Sequence, residues 1–195
     1  MDSRILKLAT DTGWASQAVD ALDATLCDHA HCEKKASVSA IALINDYPDD
    51  TGLVRAMSKL AEEEMRHFRE VYDLLLERGV RLGRDPGDPY AKALFKLLRS
   101  HPKERKLDRL LVAALIEERS CERFSLLRAE LEARGEERLA AQFRRLQISE
   151  AGHATLFVRL ASEEFGSEQC EARLDQLAER EAEIVAALPI EARIH

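Results

Sequence analysis

In the stretch LAEEEMRHFREVYDLLLERG, residues 60–79, Glu64 and His67 stand three apart, and Glu150 and His153 repeat that spacing in QISEAGHATLFVRL, residues 147–160. On a helix, positions three apart are neighbours on one face, so a carboxylate and an imidazole so placed can bind one metal ion together. About one such E-x-x-H match arises by chance in a chain of this composition, so the spacing alone says little. The placement says more. Steps of four and three trace Leu53, Met57, Leu60, Glu64, His67, Val71 and Leu74 on one helix and Leu139, Phe143, Leu146, Glu150, His153, Phe157 and Leu160 on another. Both pairs thus interrupt an apolar stripe that faces a core. A carboxylate in a core is costly unless it is paired, protonated or bound to metal.

Two further stripes each carry one carboxylate. Glu33 lies on Leu26, Ala30, Glu33, Ser37, Ala40 and Ile44, and Glu117 on Leu107, Leu110, Ala114, Glu117, Cys121 and Phe124. The adjacent Glu118 belongs to a poorer stripe, Leu111, Leu115, Glu118, Glu122 and Ser125, so Glu117 is selected and Glu118 held in reserve. Glu33 precedes Glu64 by 31 residues and Glu117 precedes Glu150 by 33, a near-repeat of Glu followed by E-x-x-H. Four carboxylates and two imidazoles, one set per helix, are the ligand list of a dinuclear carboxylate centre in a helical bundle. Oxygen ligands with imidazole suit iron or manganese without separating them, and the lack of thiolate ligands argues against structural zinc. No catalytic side chain beyond these ligands is singled out. His29, His31 and His101 fall outside the stripes and are expected to be solvated or satisfied locally, and His195 is uninformative. Cys27, Cys32, Cys121 and Cys170 form no C-x-x-C pair and read as reduced, small buried hydrophobes.

The elements that must position these residues are helices. With 33% charged and 5% aromatic residues, and runs of Ala, Leu, Glu and Arg, the composition favours helix over sheet. Helical patterning predicts long helices over about 23–44, 51–78, 103–134 and 136–164, a shorter piece over 90–100 and a further helix over 167–188. Gly79, Gly135 and Gly166 supply stops, and GVRLGRDPGDP supplies a polar crossover. The expected fold is all-α: a four-helix bundle with additional short N-terminal, crossover and C-terminal helices, in a single domain over 1–195. The opening MDSRILKLATDTGW has no signal-peptide pattern, and no apolar stretch approaches the roughly 20 residues of a membrane span. A soluble, cytoplasmic protein with no membrane partner is expected.

Charge is unevenly spread. Between Arg78 and Arg109 ten Lys or Arg face four acids, a local +6 on a chain of net charge −7. Arg84, Lys92, Lys96, Arg99, Lys103, Arg105 and Lys106 are therefore candidates for contact with a phosphate backbone; the alternative is a solvated crossover with no partner. The chain has no paired C-x-x-C module and no Gly-rich dinucleotide fingerprint, so reducing electrons would come from a separate protein.

The segments CEKKAS, EEEMRHF, LIEERSCERF and ISEAGH, in this order and at these spacings, resemble the tRNA 2-methylthio-N6-isopentenyladenosine hydroxylases, the MiaE family, over most of the chain. The RSCERF run after Glu117 is the most specific piece, because E-x-x-H is shared with ferritins and rubrerythrins. The resemblance implies a ferritin-like di-iron monooxygenase that uses O2 to hydroxylate the isopentenyl side chain of the modified adenosine next to the tRNA anticodon. It implies iron ligands at Glu33, Glu64, His67, Glu117, Glu150 and His153, with Glu64 and Glu150 as bridges, and a ferredoxin or reductase type of electron donor. Phe124, Phe143 and Phe157 are candidates to line a pocket, with core packing as their alternative role. The rival reading is a ferritin- or rubrerythrin-like ferroxidase or peroxidase with no RNA substrate. A ferroxidase of that kind would assemble into a large shell, whereas a monomer or small homo-oligomer is expected here.

Overall fold

The computed structural model describes residues 5–195; residues 1–4, the start of the segment tested for a signal peptide, lie outside them. Seven helices follow in order: α1 Trp14–Asp20, α2 Leu22–Asp46, α3 Thr51–Glu77, α4 Pro89–Phe95, α5 Pro102–Ala133, α6 Glu137–Phe165 and α7 Ser167–Ala187, with no strand among the described residues. The chain packs as two compact units.

The first unit, Asp20–Pro86 with Ala192–Ile194, is the hairpin of α2 on α3. Asp50 starts α3 by accepting a hydrogen bond from the Leu53 N–H at 2.9 Å. Gly79 ends it at φ +70°, a conformation a side chain would disfavour, so that Val80 N–H reaches the Leu75 carbonyl and Gly79 N–H the Leu76 carbonyl. Leu53, Met57, Leu60, Val71 and Leu74 are all buried, as their spacing predicts. The polar edge of α2 holds the chain that leaves α3: Asp23 pairs with Arg78, the Cys27 thiol donates to the Arg81 carbonyl, and Lys35 lies 3.8 Å from Asp85.

The second unit comprises the residues up to Val19, Gly87–Glu191 and His195, and is built on α5 packed against α6, with α7 contacting both. Pro102 opens α5 at a position where no N–H is needed, and Gly135 closes it with the same two-bond C-terminal motif as Gly79. The helical piece expected over 90–100 stops at Phe95. There the Arg99 backbone N–H is taken by Asp108 Oδ2 at 2.9 Å, which draws the chain off the helical path. At 21 residues α7 is three times the length of α1 or α4.

Two buried charges brace this unit. Arg119, fully buried on α5, donates to both carboxylate oxygens of the equally buried Glu181 on α7, to Glu122, to Thr10 and to the Leu8 carbonyl. Asp108, also on α5, accepts from Arg99 and from Arg173 of α7. Burial pushes the Asp108 carboxyl up, but those hydrogen bonds outweigh it and hold the group below the usual carboxylate range. His195, uninformative in the sequence, is well placed here. Its ring stacks on Tyr90 at 5.4 Å, with Nε2 2.7 Å from Ser120 Oγ and Nδ1 3.3 Å from Asp88 Oδ2.

Candidate metal centre

In the α2–α3 unit the helical periods bring Glu33, Glu64 and His67 to buried positions, with 4%, 0% and 4% exposure. Near them Ser37 Oγ donates to the Ala61 carbonyl at 2.9 Å, joining α2 to α3 where both helices carry small residues. His67 Nδ1 stands 3.4 Å from Glu64 Oε2 and 3.6 Å from Glu33 Oε2. Charge-assisted hydrogen bonds are shorter, about 2.7–2.9 Å. Donor atoms about 2.1 Å from one ion and roughly 110° apart around it stand about 3.4 Å from each other, so this spacing suits ligands of a common ion. The chemistry of the set fits iron or manganese: hard carboxylate oxygens and one imidazole, screened from water.

In the second unit α5 buries Glu117 and α6 buries Glu150 and His153, with His153 Nδ1 3.7 Å from Glu150 Oε2. Glu118 is half-buried, the environment of a ligand being that of Glu117. One turn beyond, burial and then the neighbouring carboxylates of Glu118 and Glu150 push the Cys121 thiol up to about 11. It therefore stays protonated at neutral pH and offers no anionic sulfur. Phe124 and Phe143 pack at 5.5 Å between ring centroids, and both are buried, as is Phe157. Leu160, the last position of the α6 stripe, is only half-buried.

The other histidines divide between the two expected settings, local partners and solvent. His29 is fully buried, with Nε2 2.5 Å from Glu33 Oε1, and His31 is buried with Nδ1 2.9 Å from Lys34 Nζ. Burial, followed by the Lys34 charge, lowers the His31 pKa. His101 is exposed. His29 lies one turn before Glu33 on the same face of α2, whereas His31 is buried on a second face.

The basic candidates divide in two. Arg84, Lys92, Lys96, Lys103 and Arg105 are exposed. Arg99 and Lys106 are committed to ion pairs within the second unit, Arg99 to Asp108 and Glu104 and Lys106 to Glu164 at 2.5 Å. Arg119 and Asp108 escaped the sequence reading altogether. Their signal was a second apolar stripe on α5, Leu111 and Leu115, whose period Asp108, Arg119 and Glu122 continue.

An all-α chain with buried Glu/His donor sets of this kind is a protein of the ferritin-like class. It is similar in structure to Protein 43 with aldehyde deformylating oxygenase activity from Synechococcus, with a TM-score of 0.90 and 35% identity, covering 98% of this chain and 96% of that one. Residues 1–195 match the family tRNA-(MS[2]IO[6]A)-hydroxylase (MiaE), and the chain belongs to it. Among its relatives, a tRNA 2-(methylsulfanyl)-N(6)-isopentenyladenosine(37) hydroxylase of Pseudomonas putida is 36% identical over 95% of this chain and 89% of that protein. A hydroxylase of the same name from Salmonella typhimurium is 28% identical over 97% of this chain and 87% of its own length.

Proposed function

We propose that this protein is an O2-dependent di-iron monooxygenase that hydroxylates the isopentenyl side chain of 2-methylthio-N6-isopentenyladenosine beside the tRNA anticodon. The observation that carries the reading is family membership over the whole chain, joined to a buried carboxylate–imidazole set in each unit. Glu33, Glu64 and His67 with Glu117, Glu150 and His153 would hold the two ions, Glu64 and Glu150 serving as bridges, in one functional domain over 1–195. When bound, iron supplies the redox chemistry that activates O2 toward a C–H bond; manganese suits the same ligands.

The chain's own work is to hold and exclude. Four buried carboxylates offset the charge of the ions and fix their geometry. Phe124, Phe143 and Phe157 would present apolar surface to the isopentenyl tip and keep water from the reacting end of the substrate. Arg84, Lys92, Lys96, Lys103 and Arg105 meet the phosphates of tRNA. No helix among the described residues is long and apolar enough to cross a membrane, and a tRNA substrate fits a cytoplasmic protein. Electrons come from a separate ferredoxin or reductase type of donor, to a monomer or small homo-oligomer.

The test is a single turnover. Protein loaded with ferrous iron and chemically reduced is given O2 and tRNA bearing the methylthio-isopentenyl nucleoside, and the digested nucleosides are weighed. A gain of one oxygen on the isopentenyl group, absent in Glu64→Ala and Glu150→Ala, supports the reading. Iron oxidation with unchanged nucleoside overturns it in favour of a ferroxidase. One observation favours a second reading: the Synechococcus protein with aldehyde deformylating oxygenase activity is as similar in sequence as the Pseudomonas hydroxylase. Formate released from a long-chain aldehyde under the same conditions, with tRNA untouched, would establish it.

A further inference from the structure

The ligands nearly repeat between the two halves of the sequence, but the residue one turn before the first glutamate of each set does not. One helical turn before Glu33, on the same face of α2, His29 is fully buried with Nε2 2.5 Å from Glu33 Oε1. One turn before Glu117, the corresponding place on α5 is Ala113, which has no hydrogen-bonding group in its side chain. A carboxylate that binds metal is ionised and only accepts, so His29 Nε2–H is the donor in that contact. With Oε1 held by His29, Oε2 is the oxygen of Glu33 turned toward His67 Nδ1, at 3.6 Å.

We infer that His29 is a positioning residue for Glu33: it ties one carboxylate oxygen, presents the other as a single-oxygen ligand, and so strengthens binding of the ion at the Glu33–His67 end. This rests on the dinuclear reading proposed above. The ring is packed on all sides, so it cannot swing to water, and the contact is built into α2 before any ion arrives. Removing such an outer partner typically weakens metal binding about 10–100-fold.

The experiment is an anaerobic Co2+ titration of the full chain, followed by absorbance in the visible d–d region. Wild-type protein should take two ions in two resolved steps, and His67→Ala identifies the step that belongs to the Glu33 end. His29→Phe, similar in bulk but without a donor, should weaken that step about 10–100-fold, leave the other within the error of the titration, and shift the spectrum of that step alone. His29→Gln, which keeps an N–H donor, should restore most of the affinity; it also carries the test if His29→Phe does not fold. Unchanged steps and spectra in both variants overturn the inference, as does equal weakening of both steps with a lowered melting temperature of the metal-free protein, which marks a merely structural residue. Loss of a nitrogen-ligand signature from the Co2+ spectrum in both variants also overturns it, because His29 would then be a ligand. Wild-type protein that binds no Co2+, Fe2+ or Mn2+ overturns the dinuclear reading itself.

Discussion

Arg119 and Glu181, both with no solvent exposure, meet through three hydrogen bonds of 2.8–3.0 Å that join α5 to α7. Removing one member of a buried ion pair leaves the other charge without compensation, at a cost of about 3–5 kcal/mol. Arg119→Met is expected to lose that much stability in urea unfolding, and Arg119→Met with Glu181→Leu to recover most of it. Equal losses in the single and double variants would show that packing, not charge, holds this junction.

Asp108 makes stability depend on acid. Its native pKa is lowered, so its contribution is fully present above the unfolded carboxylate value, about pH 4, and disappears as pH falls through the lower native value. Asp108→Asn is expected to cost about 2–3 kcal/mol at pH 7, less than a fully buried pair because Arg99 and Arg173 retain some water. As pH falls below that lowered native value the two proteins should converge in stability, measured by urea midpoints across the pH range.

The adjacent pair Glu117 and Glu118 separates by burial, which gives a paired test. Glu117→Gln is expected to weaken metal binding by at least about tenfold, and Glu118→Gln to leave it within about twofold, in anaerobic Fe2+ titrations. The reverse pattern would transfer the ligand assignment to Glu118.

The exposed and the committed basic residues should respond differently to salt. Lys92→Ala and Lys103→Ala are each expected to reduce the slope of log K against log salt for tRNA binding by about one, with unchanged thermal stability. Arg99→Ala, which breaks the Asp108 cluster, should instead lower the melting temperature. A set of unchanged slopes would remove these lysines from the RNA contact.

Helices α3 and α6 were legible because each has one clear apolar period and a glycine stop, as in α3 between Asp50 and Gly79. Burial of Glu64, His67, Glu150 and His153 followed from their place in that period. What stayed hidden depends on contacts distant in sequence. Arg119 reads as one more charge in an arginine-rich helix until Glu181 and Thr10 arrive from opposite ends of the chain. His29 fits the α2 period as well as Ala30 does, since steps of three and four lead from Leu26 to His29 to Glu33, but the period does not show its contact with Glu33. The end of α4 at Phe95 was missed for the same reason, since Asp108, not the local sequence, takes the Arg99 N–H.

The wiring of Arg119 also orders events during synthesis. The α2–α3 unit is drawn almost wholly from one continuous stretch, Asp20–Pro86, and can close soon after that stretch leaves the ribosome. The other unit cannot. Until Glu181 emerges, a nascent α5 carries a guanidinium that has Glu122 but lacks its second counter-charge, and the segment at Leu8 and Thr10 has only a partly formed anchor. A ribosome stalled within α6 therefore holds a chain with one finished hairpin and one open half, exposed to proteases and chaperones until α7 supplies the missing acid.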